Sequence, residues 1–296
     1  MKRALIHLTL LLSGFFFLIT GTNAQYGKVL ESLSMKSVIL GKEVKYSIFL
    51  PPDYETSSRS YPVVYLLHGY TDNETGWIQF GEVQMIAGKA IADQKIPPMI
   101  IVMPDGGVSW YINDYQGKVR WEDMLVQEFI PFIDKTYRTR PDKQYRGIAG
   151  LSMGGYGSLV NCFRHTDLFA ACAAFSAGVF TDEELSSQPQ DMFDGLFGHL
   201  YGENLTGTAR LTDHWKKYSV INLAETIQED QLKSVRIWID CGDDDFLTIG
   251  NAVLHIALTK RHIPHEYRVR DGSHTWEYWR TGLVDGLGFI GQGFHR

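Results

Sequence analysis

Cysteine is scarce: Cys162, Cys172 and Cys241 are the only three in 296 residues. An odd number leaves at least one unpaired, and none stands in a Cys-x-x-Cys or metal-ligand spacing. The expectation is three small apolar core residues and no metal. Basic charge is also short. Lys and Arg number 28 against 34 Asp and Glu, a net charge of −6 with no basic cluster. That removes the electrostatic footprint of a nucleic-acid binder. Beyond the first 24 residues no run is apolar enough to span a bilayer. There is no P-loop, no His-Glu-x-x-His, no internal repeat and no linker rich in Pro, Gly or Ser. What remains is globular: 44% hydrophobic and 21% charged. The 13% of aromatic residues suits either a core or a sugar- or aryl-binding site.

The N-terminus reads as a targeting segment. Lys2 and Arg3 precede an apolar stretch from Ala4 to Thr20. Thr22-Asn23-Ala24 then places small residues before a cleavage site. The apolar run is about 17 residues, short of the roughly 20 a spanning helix needs. Cleavage after Ala24 and export are expected. Gln25 follows, not a lipid-accepting cysteine. One domain is expected over 25–296.

Along that domain, apolar runs alternate with helical patterns. Strands are expected at 43–50, 62–67, 98–103, 144–149, 169–175, 235–241 and 265–270. Helices are expected at 82–94, 122–137, 154–164, 251–260 and 275–284. Most of the apolar runs lack a polar face, which argues for a mostly parallel central sheet covered by helices, an α/β fold. Residues 181–233 break the rhythm and read as an insertion over one edge of the sheet.

Gly150-Leu151-Ser152-Met153-Gly154 is the pattern of a nucleophile elbow. A strand before it and a helix after it are the context that pattern requires. A serine hydroxyl is a weak nucleophile until a base takes its proton. On an elbow the acid and then the histidine follow in chain order. Strand 235–241 carries Asp243, Asp244 and Asp245 to the edge where Ser152 lies. The next strand returns His274 there. His262 and His265 stand at that strand's start, roughly 20 Å away at ~3.3 Å per residue. His255 falls within the return helix, His165 after the elbow helix, and His199 and His214 within the insertion. His274 is therefore the expected base, and Asp245 or Asp244 the acid. A tetrahedral oxyanion needs donors. The Met153 N–H follows the nucleophile, and the Tyr70 N–H ends strand 62–67. His68 comes too early in the chain to be the base and reads as shaping the loop. Trp77, Trp110 and Tyr111 follow strand ends and are candidates for lining a pocket. Gly286-x-Gly288-x-x-Gly291 mimics a dinucleotide fingerprint but has no βαβ unit after it.

Five segments together resemble a known family: Tyr65 to Gly69, Met103 to Gly107, Gly150 to Gly155, Cys241 to Leu247 and Gly272 to Trp276. It is the secreted esterase family of feruloyl and acetylxylan esterases. S-formylglutathione hydrolase (esterase D) and the antigen 85 mycolyltransferases are its more distant members. The resemblance runs from about Val44 to about Leu283. It implies an α/β-hydrolase fold that uses no cofactor. It also implies that the acid stands three residues after the Gly of Gly-x-x-Asp-Phe-Leu, which is Asp245. The signal peptide departs from the cytosolic esterase D members.

The expectation is a secreted or periplasmic serine carboxylesterase. Its substrate would be an acetyl or feruloyl ester, small or on plant polysaccharide. The rival expectations are an acyltransferase to a sugar, a glutathione thioesterase, and a carbohydrate-binding module without activity.

Overall fold

The computed structural model describes residues 26–295. The expected leader and its cleavage site lie outside the described residues. Eight strands form one sheet: β1 (Lys28–Lys36), β2 (Glu43–Leu50), β3 (Val63–Leu67), β4 (Ile100–Pro104), β5 (Arg146–Leu151), β6 (Ala171–Phe175), β7 (Arg236–Gly242) and β8 (His265–Arg270). Their spatial order is β1-β2-β4-β3-β5-β6-β7-β8. The β1–β2 and β2–β4 pairs are antiparallel, and every other pair is parallel. The fold is α/β, as the strand–helix alternation implies.

Four helices matter most for the site: α1 (Val83–Ala92), α2 (Met153–Arg164), α3 (Thr248–Lys260) and α4 (Trp276–Gly291). They cover both faces. Val63, Tyr65 and Leu67 of β3 join the core under α2 and α3. Val64 and Leu66 join the core under α1 and α4. A strand with two buried faces has no polar alternation to show, which is why β3 reads as an unbroken apolar run.

Three points differ from the sequence reading. No element was expected in 25–42, yet β1 is there. It is an outer strand with a register shift between Leu30 and Leu33, and most of its residues are exposed or half-exposed, so its pattern is weak. The last helix runs on to Gly291 and absorbs the false fingerprint as helix packing. The insertion reaches beyond a sheet edge: Gly195 and Leu196 border the cleft at the strand ends, but the rest spreads over one face. Its helix Val220–Thr226 packs against α2 and α3, forming a second layer on one face. Its apolar residues (Phe193, Phe197, Tyr201, Trp215, Tyr218) need that helical floor to be buried. Cys162, Cys172 and Cys241 are free and buried. No helix among the described residues is long and apolar enough to cross a membrane.

Candidate active site

The elbow begins at β5, whose end turns directly into α2. A Cβ on Gly150 would stand 2.4 Å from the Gly154 carbonyl oxygen, and one on Gly154 would stand 2.4 Å from that of Leu67. Only glycine tolerates a turn this tight. Ser152 at its apex has φ 54°, a left-handed backbone that a non-glycine residue adopts only when its surroundings impose it.

Three side chains far apart in sequence meet there. His274 Nε2 lies 2.9 Å from Ser152 Oγ across 122 residues of chain. His274 Nδ1 lies 2.9 Å from Asp245 Oδ2 and 3.1 Å from Oδ1. The carboxylate can only accept, so the imidazole proton sits on Nδ1 and the Nε2 lone pair faces the serine hydroxyl. Asp245 Oδ1 also accepts the Leu247 N–H at 2.9 Å. Burial pushes the Asp245 carboxyl up. The hydrogen bonds from His274, the Leu247 N–H and Ser176 outweigh it and hold the carboxyl below its ordinary value. Asp244, the alternative acid, is exposed and makes no contact with His274 among the described residues.

The two expected oxyanion donors flank the serine. Met153 opens α2, so its N–H has no intrahelical acceptor. The Tyr70 N–H donates to no backbone carbonyl among the described residues. Gly69, just before it, packs so close that a Cβ would stand 3.6 Å from Ser152 Cβ. His68 is buried and shapes this loop: its Nδ1 is 2.8 Å from the Gly69 carbonyl oxygen, and its Nε2 accepts the Gly106 N–H at 2.9 Å.

Ser152 and His274 open into a cleft of about 330 Å³. Of the three pocket candidates only Trp110 lines it. Trp77 is buried in the core, its indole N–H on the Leu67 carbonyl at 2.9 Å. Tyr111 is buried too. Its hydroxyl donates to the His68 carbonyl, and its ring meets Trp121 edge-on. Both follow strand ends as expected but turn inward, where their large apolar area is worth more. The walls instead come from Tyr70, Phe180, Leu196, Phe246, Trp276 and Trp279. Trp276 and Trp279 are three apart on one helix just after His274, and that spacing was a usable signal. Phe180 and Leu196 come from the chain entering the insertion and carry none.

Five of the other histidines are engaged elsewhere. His255 and His265 bond each other at 2.8 Å, and His165 binds Glu122. His199 binds the Val108 carbonyl and His214 that of Asn113. Asp271 is brought beside Asp243 and Asp244, an acidic neighbour the sequence reading did not foresee. All three are exposed.

An open, mostly parallel sheet with a serine elbow at the end of a central strand, a histidine after the last strand and an acid after the one before it defines an α/β-hydrolase. The chain belongs to the esterase family described as "Putative esterase", whose profile matches residues 37–290. It is 30% identical over 253 residues to an esterase of Mycobacterium tuberculosis, covering 78% of this chain and 52% of that protein. It is 35% identical over 167 residues to an endo-1,4-beta-xylanase/feruloyl esterase of Xylanibacter ruminicola, covering 53% of this chain and 22% of that protein. The chain thus spans about half the length, or less, of these curated relatives. Among solved structures, a ferulic acid esterase superposes with a TM-score of 0.79 at 32% identity, covering 90% of this chain and 98% of that one.

Proposed function

We propose that this esterase is a serine enzyme cleaving feruloyl or acetyl esters of plant polysaccharide through an acyl-enzyme. The observation that carries the reading is the Ser152–His274–Asp245 line opening into a cleft walled by aromatic rings. Ser152 Oγ attacks the ester carbonyl while His274 Nε2 takes its proton. The carbonyl oxygen becomes an oxyanion between the Met153 and Tyr70 N–H groups. As it collapses, the bond to the alcohol breaks and His274 returns the proton to the leaving oxygen. Water, deprotonated by His274, then attacks the acyl carbonyl and restores Ser152. Asp245 holds the imidazole in the required tautomer throughout.

The aryl preference rests on the walls. Trp110, Phe180, Trp276 and Trp279 offer flat apolar surface to a planar acyl group, and aromatic pairs favour edge and offset contacts of this kind. The similarity to a ferulic acid esterase and to a xylanase/feruloyl esterase supports the same class. Export is part of the proposal, because such polysaccharide lies outside the cell. It rests on the positive start and apolar run before Ala24. N-terminal sequencing of exported protein should begin at Gln25.

The test uses p-nitrophenyl acetate, methyl ferulate and acetylated xylan with the wild type and Ser152→Ala. The substitution should cut turnover on the order of 10⁴-fold or more. Turnover unchanged by it would end the serine mechanism. Turnover of acetates with none of methyl ferulate would end the aryl reading.

A further inference from the structure

Ser176 stands one residue past the end of β6, fully buried, and the esterase reading gives it no task. Its backbone is at φ 43°, the left-handed region, which costs a non-glycine residue energy unless the side chain returns something. Its N–H donates to the Asp240 carbonyl at 2.7 Å. Its Oγ accepts the Trp279 indole N–H at 3.0 Å. With that lone pair engaged, the hydroxyl proton must turn elsewhere. The acceptors facing it are the Asp245 carboxylate and Cys241 Sγ. A carboxylate is the stronger acceptor, and no water reaches so buried a group freely. The same Trp279 meets His274 edge-on, centroids 4.9 Å apart and planes at 88°. Trp279 and Asp245 therefore meet the imidazole from two sides, and the Ser176 hydroxyl, bonded to Trp279, lies beside both.

We propose that Ser176 is a positioning residue that ties the Trp279 indole to the Asp245 carboxylate, so that the acid and base of the site are held as one hydrogen-bonded unit. This rests on the reading of Ser152 and His274 as the reacting pair. The hydroxyl also explains why Ser is placed where backbone geometry alone favours Gly. The other charged and titratable neighbours do not substitute for it. Cys241 has its thiol pushed up to about 12 by burial, and the Asp240 side chain is taken by Arg270 and Tyr278.

The test compares Ser176→Gly, Ser176→Ala and Trp279→Phe with the wild type and with Ser152→Ala. The readouts are kcat and KM separately, the melting temperature, and the downfield proton resonance of the His274 Nδ1–H. Glycine suits the backbone but lacks the hydroxyl. It should lose about tenfold in kcat, as expected for one hydrogen bond to a charged group, with a smaller change in KM. Alanine should lose the same. In both, the Nδ1–H resonance should move. Trp279→Phe keeps an aromatic ring beside His274, removes the N–H and should move it the same way. A glycine variant with wild-type kcat and an unmoved resonance would overturn the proposal, leaving Ser176 a backbone feature alone. Should neither Ser176 variant fold, an unmoved resonance in Trp279→Phe would overturn it equally. A fully active Ser152→Ala would instead overturn the underlying reading, so the two failures are distinguishable.

Discussion

Two histidine–carboxylate pairs sit in this molecule with nearly equal geometry and different consequences. At the cleft, His274 Nδ1 is 2.9 Å from Asp245, and its other nitrogen faces Ser152. On the far side of α2, His165 Nε2 is 2.8 Å from Glu122. Both carboxylates are buried. The difference lies in what else each carboxylate holds. Glu122 also takes Arg164 at 2.7 Å and the Tyr218 hydroxyl at 2.7 Å, so it is saturated. It joins helix Trp121–Met124, the end of α2 and the insertion's Asp213–Tyr218. Asp245 carries no strong cation and leaves its histidine facing a hydroxyl in an open cleft. A distance thus does not distinguish a reacting pair from a tether. The neighbours do.

The contrast is testable from its strong end. Asp245→Asn should cut kcat about 10⁴-fold, because an amide no longer dictates which imidazole nitrogen keeps its proton. Its melting temperature should change little. Glu122→Ala should do the reverse. It strands Arg164 without its partner and should cost about 3–5 kcal/mol in denaturant unfolding. Activity of the remaining folded protein should fall far less than in Asp245→Asn. Equal loss of activity in the two would break the comparison.

Acid should separate them as well. Burial pushes the Glu122 carboxyl up, but His165, Arg164 and Tyr218 outweigh it and bring it down to about 2. A depressed carboxyl contributes stability above its unfolded value and loses it as pH falls toward the folded one. From 4.5 to about 2 that contribution, about 3 kcal/mol, should fade. In Glu122→Gln, unfolding free energy should lose that part of its slope over the same window. The smallest effect belongs to Phe246, which is 71% exposed yet lies with its ring centroid 4.6 Å from that of His274. Phe246→Ala should lower kcat/KM about threefold, with stability within about 0.5 kcal/mol.

What could be read from the sequence follows a physical division. Strands buried on both faces, such as β3 and β6, announce themselves because every position must be apolar. Chain order and strand direction sufficed to bring Ser152, Asp245 and His274 toward one edge. Two kinds of feature stayed hidden. Whether an aromatic residue at a strand end faces the cleft or the core depends on neighbours distant in sequence, so Trp77 and Tyr111 were misplaced while Trp279 was passed over. The insertion's short helices have no periodicity of their own, since the helical floor beneath them decides which side is buried. Ser176 belongs to the first kind: nothing beside it in the chain mentions Asp245 or Trp279.

The proposed base arrives on the loop after β8, an edge strand whose one neighbour among the described residues is β7. Its residues are half-buried or exposed, whereas β5, which carries the serine, is buried throughout. Peripheral elements open at lower free energy than central ones. The proposed catalytic assembly is therefore fastened at one end to the buried middle of the sheet and at the other to one of its two edges. On gentle heating, turnover should fade while far-UV circular dichroism still reports a folded chain, and cooling should restore it. The enzyme would carry its own thermal fuse, set below its melting point by the fraying of a single border strand.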